Sequence, residues 1–457
     1  MKDIHEFLIT PAEATRLHGP HDRIVMSSRV RLARNLKDAA YPGWAKKPER
    51  VKILETVRPA VESLPEMKDA FSEAMDNLSS LDKQILVERH LISREHAAKS
   101  IGSGLVLNRE ETFCVMINEE DHLRMQALRP GLQLRQAWNA IDHLDSALEK
   151  KLDYAFNNDL GYLTACPTNL GTGIRVSAML HLPGLVLAEQ INPIIQSVNK
   201  LGLAVRGLYG EGTEALGNVF QVSNQMTLGE SETTIVERLE KVLSQIIEHE
   251  ENARQTLLEK KLKVVFNHIG RAYGILANAH SISSKETMNL LSLMRLGVDL
   301  ELFPGTERAL VDELFIITQP AHLQKQFSDK LSAEERDLLR SDMVRERLKN
   351  VSPPSGEDAE GGELKTYAGT NSILIFRPNA RAALPSVESV KEEFEASSNR
   401  STAARLVFMR AAISALVSSF LSSNFSNCNA SALFMARSST SSKMPSSFKK
   451  SRKLLPR

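Results

Sequence analysis

Residues 104–117 read GLVLNREETFCVMI, two short apolar runs separated by a charged one. Gly104–Leu107 and Phe113–Ile117 have the length and composition of β-strands, and Asn108–Glu111 supplies a turn between them. Short strands that neighbour each other along the chain favour an antiparallel sheet over a doubly wound one. The stretch therefore predicts an antiparallel strand pair.

A second pair of strand-like runs, Leu203–Arg206 and Val219–Val222, repeats this pattern further along the chain. Helices are predicted at Pro48–Leu64 and Leu134–Phe156, where they would pack against the sheet. The predicted fold class of this first part is therefore α+β, an antiparallel sheet flanked by helices. Cys114 lies within a strand-like apolar run and is predicted to be a core residue.

From Thr233 onward the apolar residues recur with a helical period. Ser283–Glu286 and Ser332–Glu335 have the spacing of N-terminal capping boxes, and Gly297 is predicted to end a helix as its C-cap. An all-helical C-terminal domain is therefore predicted, and its apolar faces could mediate dimerisation or pack against the sheet. The apolar stripe consists of Ile235, Leu239, Val242, Ile246 and Ile247.

The run CPTNLGTG, Cys166–Gly173, does not look like core packing. Gly171 and Gly173 permit a positive φ or a close backbone approach, and Pro167 fixes the local backbone direction. The run indicates a rigid turn that presents a thiol to a ligand, with the guanidinium group of Arg175 close by. On its own, a cysteine before a proline is more often a small buried residue beside a turn.

Three further segments pair arginine with hydroxyl groups, carboxylates or glycine, namely Ser27–Arg34, Ile117–Arg124 and Arg206–Glu214. In the first segment, Arg29 and Arg31 alternate along an extended backbone and therefore point to the same face. Two guanidinium groups on one face favour an anion, and phosphate matches their forked geometry. The sequence contains neither a P-loop nor the protein-kinase motifs, so a triphosphate would be bound by arginines.

These four segments, in this order, make the chain resemble the phosphagen kinase family (ATP:guanidino phosphotransferases), and within it the bacterial protein-arginine kinases. The resemblance covers about residues 23–232 for the catalytic part and continues more loosely to about residue 350. It implies ATP and Mg²⁺ as cofactors, and it assigns the nucleotide phosphates to Arg29, Arg31, Arg124, Arg175 and Arg206. It also places at the nucleotide Ser27, Ser28, Val30, His90 (stacked on adenine), Val176, Ser177, Ala178, Met179, Gly207, Leu208, Tyr209 and Gly210.

Transfer to a guanidinium group requires that a proton be drawn off first, because the pKa of that group lies above about 12. Paired carboxylates suit this task, since they hold the group in plane and one of them takes the proton. The resemblance assigns these roles to Glu120 and Glu211. Glu119 could assist, although in a strand it would face the other way. Cys166 would add negative charge beside the acceptor without becoming a covalent nucleophile.

The run RDLLRS at 336–341 places Arg336 and Arg340 four residues apart on one helix face, which alone is typical of a solvated surface. Protein-arginine kinases carry a similar R-D-x-x-R-A run that binds phosphoarginine and regulates activity, and Ser341 replaces its alanine here. The resemblance therefore implies an allosteric phosphoarginine site that consists of Arg336, Asp337, Arg340 and Ser341.

Three regions are predicted: a catalytic domain at 1–232, a helical regulatory or dimerisation domain at 233–350, and a Ser-rich tail at 351–457 unlike the family. The tail could be disordered, a fused extra segment or a misread frame. The 457 residues carry a formal net charge of +1, which gives no general attraction to nucleic acid or membranes. Cysteine and histidine spacing predicts neither a disulfide framework nor a protein-bound metal, and the absence of a signal-peptide pattern predicts a cytoplasmic protein.

The acceptor is predicted to be an arginine side chain on a protein. Small-molecule guanidino kinases have a helical domain ahead of the catalytic one, whereas this chain reaches Arg29 and Arg31 almost at once. The acceptor site should therefore be more open. Two alternatives remain: a kinase of a small guanidino metabolite such as free arginine, and a non-catalytic adaptor that binds phosphoarginine.

The resemblance also implies partners and a cellular role. It implies stress response, in which phosphorylation marks proteins for a Clp-type protease and inactivates a heat-shock repressor. The protein partners would be unfolded proteins and that repressor as substrates, an activator protein, and the protease indirectly. A homodimer is expected.

Overall fold

The computed structural model of this protein describes residues 6–9, 18–207, 215–327 and 330–355. All of them belong to the same structural unit, Met1–Leu364. The predictions made for residues 208–214, among them Glu211, and for the Ser-rich tail beyond residue 355 lie outside the described residues and stay predictions.

The centre of the described chain is an antiparallel sheet of eight strands, with a separate two-stranded ribbon beside it. The strands are β1 Val25–Arg34, β2 Phe71–Ala74, β3 Gly104–Leu107, β4 Phe113–Ile117, β5 Leu123–Pro130, β6 Phe156–Asn157, β7 Gly161–Tyr162, β8 Ile174–His181, β9 Leu203–Gly207 and β10 Val219–Asn224. Across the large sheet they follow the order β2-β3-β4-β5-β1-β8-β10-β9, and β6 pairs with β7. The strand β1, which carries Arg29 and Arg31, therefore lies near the middle of the sheet.

Both predicted strand pairs are confirmed. β3 and β4 have the predicted bounds and pair antiparallel, with Gly104 opposite Ile117. β9 and β10 pair antiparallel at one edge of the sheet, with Arg206 opposite Gln221. The predicted fold class, an antiparallel sheet flanked by helices and followed by a helical region, is confirmed.

Helices flank the sheet and make up the chain beyond it. In the described ranges they are α1 Glu6–Ile9, α2 Lys47–Glu62, α3 Ser80–Glu88, α4 Arg94–Ala97, α5 Leu134–Glu149, α6 Pro183–Leu187, α7 Ile191–Lys200, α8 Glu232–Asn278, α9 Ser284–Asp299, α10 Arg308–Ile317, α11 Pro320–Phe327 and α12 Ala333–Leu348. None of them is long and apolar enough for a membrane crossing, as judged over the described residues.

The two helices predicted beside the sheet are present, but one of them is shorter than predicted. α2 matches Pro48–Leu64 to within two residues at each end, whereas the predicted helix Leu134–Phe156 ends at Glu149. After α5 the backbone turns to bond with the end of β1: Lys37 N donates to Asp153 O at 2.9 Å, and Ala155 N donates to Asn35 O at 2.8 Å. These long-range hydrogen bonds satisfy backbone groups that a longer helix would have bonded internally.

One face of the sheet is apolar and forms the main core with α2, α5 and the first half of α8. Because side chains alternate along a strand, every second residue of β1, β4, β5 and β8 points to this face. Each of these helices contributes fully buried side chains, such as Val57, Ile141 and Leu239. The strands contribute Val30, Leu32, Val115, Ile117, Leu123, Met125, Ile174 and Val176.

The opposite face is apolar only near β3 and β4. There Leu105, Leu107, Cys114 and Met116 form a smaller core with the residues of α3. The prediction that Cys114 is a core residue is confirmed, and burial raises the pKa of its thiol to about 12. The centre of this face, over β5, β1, β8, β10 and β9, is polar and carries the side chains described below.

The helical region has a core of its own. The predicted apolar stripe of α8 is buried, as are the side chains that the second half of α8 and the helices α9, α10 and α12 contribute to a separate cluster. Backbone angles depart from helical values at Lys261, between the two halves of α8. Ser283 accepts a hydrogen bond from Glu286 N, which is one half of the capping box predicted there, and Ser332 and Glu335 form the complete capping box predicted for them.

The prediction that Gly297 ends a helix is wrong. Gly297 lies inside α9 and is buried, and a Cβ atom there would come within 2.5 Å of Phe303 Cε2 and 2.7 Å of Ile269 Cγ2. The glycine therefore permits close packing of α9 against its neighbours rather than a left-handed cap. A glycine that ends a helix and a glycine that permits close helix packing look the same in the sequence.

The helical region packs against the sheet through a buried network of charges. Arg295 of α9 is 1% exposed, and its Nη1 lies 3.0 Å from His181 Nδ1 at the end of β8. Its Nε donates to Asp312 Oδ1 at 2.6 Å, and Arg254 of α8 donates to Asp299 Oδ2 at 3.1 Å. Packing against the sheet was one of two roles predicted for these helices, and the other, dimerisation, stays a prediction.

Candidate active site

Arg29 and Arg31 meet Arg175 on the polar face because of the register between β1 and β8. Arg31 lies directly opposite Arg175, and Arg29 lies opposite Ser177. Residues that face each other across an antiparallel pair point to the same side of the sheet. Arg29, Arg31 and Arg175 therefore lie on one face, as the period of two predicted for the first pair.

The other two predicted arginines join the same face from the outer strands. Arg124 of β5 lies opposite Ala33, which shares a face with Arg31. Arg206 of β9 lies opposite Gln221 of β10. Ser223, on the same face of β10 as Gln221, lies opposite Ser177 of β8, and Ser177 lies opposite Arg29 of β1. All five arginines assigned to the nucleotide phosphates thus lie on the polar face of the sheet.

These arginines repel one another and lack a full set of acceptors. The pKa of Arg29 is lowered to about 10 by burial and by the charges of Arg124 and Arg175. The pKa of Arg31 is lowered strongly by burial and by Arg29, Arg124 and Arg175. The pKa of Arg175 is also lowered, by burial and by Arg206 and Arg124. Among the described residues, the buried Nε atoms of Arg31 and Arg175 have no hydrogen-bond acceptor. A bound polyanion would supply both the charge and the acceptors.

His90 lies beside the arginines, just after α3. Its φ of 60° is in the left-handed region. Burial and the charge of Arg29 lower the pKa of His90 to about 3, so its ring is neutral at physiological pH. A neutral ring adds no further positive charge and can stack on an aromatic ring, and the adenine contact of His90 stays a prediction.

The acid loop, residues 118–122, follows β4 and places two adjacent glutamates in different surroundings. Glu119 is 1% exposed, and its carboxylate accepts hydrogen bonds from Arg124 Nη1 at 2.6 Å and from Ser93 Oγ. Glu120 is about half exposed, and its Oε2 lies 3.7 Å from the same Nη1. The expectation that Glu119 faces away along a strand is wrong, because the loop turns there; Glu119 holds Arg124, and Glu120 is free to meet an acceptor.

The thiol loop, residues 163–173, is anchored to the acid loop and to β1. Asp121 Oδ1 accepts from Ala165 N at 2.7 Å, directly before Cys166. Gly173 O accepts from Ala33 N at 3.0 Å, and a Cβ on Gly173, whose φ is 67°, would lie 2.6 Å from Ala33 O. The structure thus forms the rigid turn that the sequence predicts, and it places Cys166 near enough to Arg175 to raise the pKa of that guanidinium group, against the larger lowering by burial.

The remaining predicted nucleotide residues divide by face. Ser27, Ser177 and Met179 point to the polar face, while Ser28, Val30, Val176 and Ala178 point to the apolar one, as the register requires. Ser28 Oγ donates to Gly131 O there at 2.8 Å. Gly207 ends β9, and Leu208, Tyr209, Gly210 and Glu211 lie outside the described residues. The roles predicted for all of these residues stay predictions.

The residues predicted to bind phosphoarginine lie on α12. Arg340 is buried and donates to the carbonyls of Thr318 at 2.8 Å and Ile282 at 2.9 Å, and it pairs with Asp337. Ser341 is buried too, whereas Arg336 donates to the neighbouring Leu331 O at 2.9 Å and to Gln324 Oε1 at 3.2 Å. Arg340 is therefore not on a solvated face: it holds the segments before α9 and α11 together. A phosphoarginine site here stays a prediction.

Sequence reasoning missed several polar partners on the polar face. Gln221 Oε1 accepts from Arg29 Nη2 at 2.7 Å, and Ser223 Oγ lies 3.4 Å from Arg175 Nη2. Both residues lie in β10, for which the sequence predicted a strand but no site residue. A period-two alternation of polar and apolar residues in that run was the available signal. Within the described ranges no three acid, His or Cys side chains lie close enough to hold a metal.

Glu88 joins the helical region to the segment that carries His90. Its carboxylate accepts from Ala321 N at 2.8 Å, His322 N at 3.1 Å and His322 Nδ1 at 2.7 Å, all at the start of α11. His90 follows two residues later, beside Arg29. A carboxylate at a helix N-terminus is favoured by the helix dipole as well as by these hydrogen bonds.

We expect Glu88→Gln to raise the KM for ATP about tenfold, with little change in kcat, because about one charge-assisted hydrogen bond is lost and His90 is held less firmly. Steady-state kinetics with varied ATP measures this. Lys325→Met is the matched control: it breaks the 3.3 Å contact with Asp82 between the same two helices, at the end away from His90. An equal rise in KM for both variants would contradict a specific role for Glu88.

Two protein families match most of the described chain. Residues 52–253 match the family described as ATP:guanido phosphotransferase, C-terminal catalytic domain, and residues 262–359 match the protein-arginine kinase McsB C-terminal domain. A solved structure of lombricine kinase aligns with 54% of this chain and 75% of that chain, at a TM-score of 0.45 and 25% identity.

Curated relatives match over most of their length. A protein-arginine kinase of Halothermothrix orenii is 46% identical over 72% of this chain and 94% of the relative. A protein-arginine kinase of Desulforamulus reducens is 46% identical over 73% of this chain and 94% of the relative. One of Bacillus subtilis is 45% identical over 72% of this chain and 91% of the relative. The chain therefore belongs to the ATP:guanido phosphotransferase family and, within it, to the protein-arginine kinases.

Proposed function

We propose that this protein transfers the γ-phosphoryl group of ATP to arginine side chains of proteins. The observation that carries the proposal is one sheet face on which five arginines lie beside the acid loop and the thiol loop. The cations suit a triphosphate, and the half-exposed Glu120 suits a guanidinium acceptor. The names of the relatives support protein arginine as the acceptor.

In the proposed reaction, the acceptor nitrogen attacks the γ-phosphorus in line while the bond to the β-phosphate oxygen breaks. The proton leaves the guanidinium group for Glu120, and ADP leaves with the electron pair of the broken bond. The arginine face neutralises charge that spreads over the equatorial oxygens. Mg²⁺ would be held by oxygens of the nucleotide and by water, and when bound it would supply further positive charge to the transferring group. Glu211 would pair with Glu120 on the acceptor.

A comparison of acceptors tests this proposal. ADP release is measured with an unfolded arginine-containing protein and, separately, with free arginine. We expect turnover with the protein and little with the amino acid. Rapid turnover of free arginine would favour a small-metabolite kinase instead, and binding of phosphoarginine without any ADP release would favour the adaptor.

We also infer a cellular setting from the family. The protein would act in the cytoplasm during stress, mark unfolded proteins for a Clp-type protease and inactivate a heat-shock repressor. An activator protein, a homodimer and regulation by phosphoarginine at Arg336 belong to the same proposal. Because Arg340 is buried and holds two backbone segments, Arg336→Ala is the more informative variant for that regulation.

A further inference from the structure

A pocket of 460 Å³ lies next to the acid loop and the thiol loop, outside the arginine face. This volume is in the range of pockets that hold small ligands or single side chains. The residues around it come from the segment after β1, from Ala155 and Phe156 at the start of the ribbon, and from Leu163 at the start of the thiol loop. Those with apolar or aromatic side chains include Leu36, Ala40, Tyr41, Trp44, Phe156 and Leu163.

The walls of this pocket are bonded to the acid loop. Asn35 Nδ2 donates to Asp121 Oδ1 at 2.6 Å and to Leu163 O at 3.0 Å. His122 Nε2 lies 3.0 Å from Ala40 O, so the residue after Asp121 supports the opposite wall. The pocket and the acid loop are therefore parts of one hydrogen-bonded assembly.

The pocket is also close to the thiol along the chain. Leu163 lines it and comes three residues before Cys166, and Ala165 N between them is held by Asp121. Leu163 therefore brings the pocket within reach of residues that flank an arginine bound between Glu120 and Cys166. An extended chain advances about 3.3 Å per residue, so only residues near the arginine can reach the pocket.

The chemistry of the pocket indicates what it binds. The Trp44 side chain is 89% exposed and that of Phe156 is 55% exposed, which leaves large apolar surfaces in water. The charged residues of the lining, Lys37 and Asp38, have opposite signs and give no net charge. Apolar side chains gain most from such a site, and a second aromatic ring gains a further edge or face contact.

We propose that this pocket binds an apolar, preferably aromatic, side chain that lies within a few residues of the target arginine in an extended protein substrate. The inference rests on the proposed function and adds a substrate class to it. Folded proteins bury most of their large apolar side chains, so an arginine with such a neighbour accessible is found chiefly in unfolded chains. The pocket thus provides selection for unfolded substrates.

The test uses peptides with a single arginine. One peptide has only alanine and serine around it, and the others carry one tryptophan at each position within about four residues of the arginine. For the wild-type protein we expect the best-placed tryptophan to raise kcat/KM about tenfold over the alanine peptide, as burial of a large apolar side chain predicts. Trp44→Ala should abolish this preference while kcat/KM for the alanine peptide and the KM for ATP stay the same.

Leu201→Ala is the matched control, because Leu201 is an exposed apolar residue, 54% exposed, that does not line the pocket. Its peptide preference should equal that of the wild type, and Trp44→Phe should keep most of it. An equal loss for both peptides in Trp44→Ala, or no preference in the wild type, would overturn the pocket proposal alone. Loss of self-association in Trp44→Ala with the preference retained would assign the pocket to a second copy instead and also overturn it. Failure of the wild type to phosphorylate any peptide would overturn the proposed function as well.

Discussion

Arg31→Ala is expected to lower phosphoryl transfer about 1,000-fold or more, the scale on which arginines act on a transferring phosphoryl group. The same change should not lower the melting temperature of the nucleotide-free protein. Arg29, Arg124 and Arg175 repel Arg31 more strongly than Glu119 attracts it, and its Nε has no acceptor among the described residues. Removing it relieves repulsion, so what is lost is binding of the anion rather than folding. Thermal unfolding with and without ATP measures both effects, because ATP should stabilise the variant less than the wild type.

Arg34→Ala is the matched control from the same strand and should behave in the opposite way. Arg34 points to the apolar face, where its guanidinium donates to Asp145 Oδ2 at 2.6 Å and to Thr172 O at 2.9 Å. Its removal leaves a buried carboxylate without its partner, which costs about 3–5 kcal/mol. A fall in melting temperature for Arg31→Ala as large as that for Arg34→Ala, with transfer retained, would contradict the role of the arginine face.

Glu120→Gln is expected to lower kcat about 100- to 10,000-fold, the range for loss of a general base, while ATP binding is largely kept. The isosteric amide keeps the shape of the side chain but takes no proton. Stability at neutral pH should not fall. Burial and Asp121 raise the pKa of Glu120, so the folded state binds this proton more tightly than the unfolded state does, and the ionised form contributes no stability. Full kcat in Glu120→Gln would refute the assignment.

The pH profile gives this variant a second readout. Because the base must be ionised, transfer in the wild type should fall as the pH drops through the pKa of Glu120, which burial and Asp121 raise above its ordinary value. Glu95→Gln removes a nearby exposed carboxylate that helps to raise this pKa. It should therefore shift the acid limb to lower pH and leave the plateau unchanged, whereas Glu120→Gln should remove the limb. An acid limb that stays in place in both variants would point to another base.

Much of the fold follows from local patterns. The hairpin of β3 and β4 was predictable to the residue, because two apolar runs flank a charged turn, and Arg29 and Arg31 share a face through the period of two. The helical region followed from the change of period after Thr233. Where prediction failed, long-range contacts decided: α5 ends early because the next backbone segment bonds to β1, and Gly297 serves packing inside α9.

The candidate site was predictable only in part. That Arg175 lies opposite Arg31 depends on strand register between segments about 140 residues apart, which no local pattern encodes. The split of Glu119 and Glu120 into an anchor and an exposed acid depends on the turn after β4 and on Ser93 and Arg124. The side chains that complete the polar face, such as Gln221, carry no motif of their own.

The most direct test of the central claim is mass spectrometry of an arginine-containing protein after incubation with this enzyme and ATP, with neutral handling throughout. The account predicts phosphate on arginine nitrogen, lost on brief exposure to acid as an N–P bond would be. Phosphate found on serine, threonine or tyrosine, or none transferred at all, would contradict it.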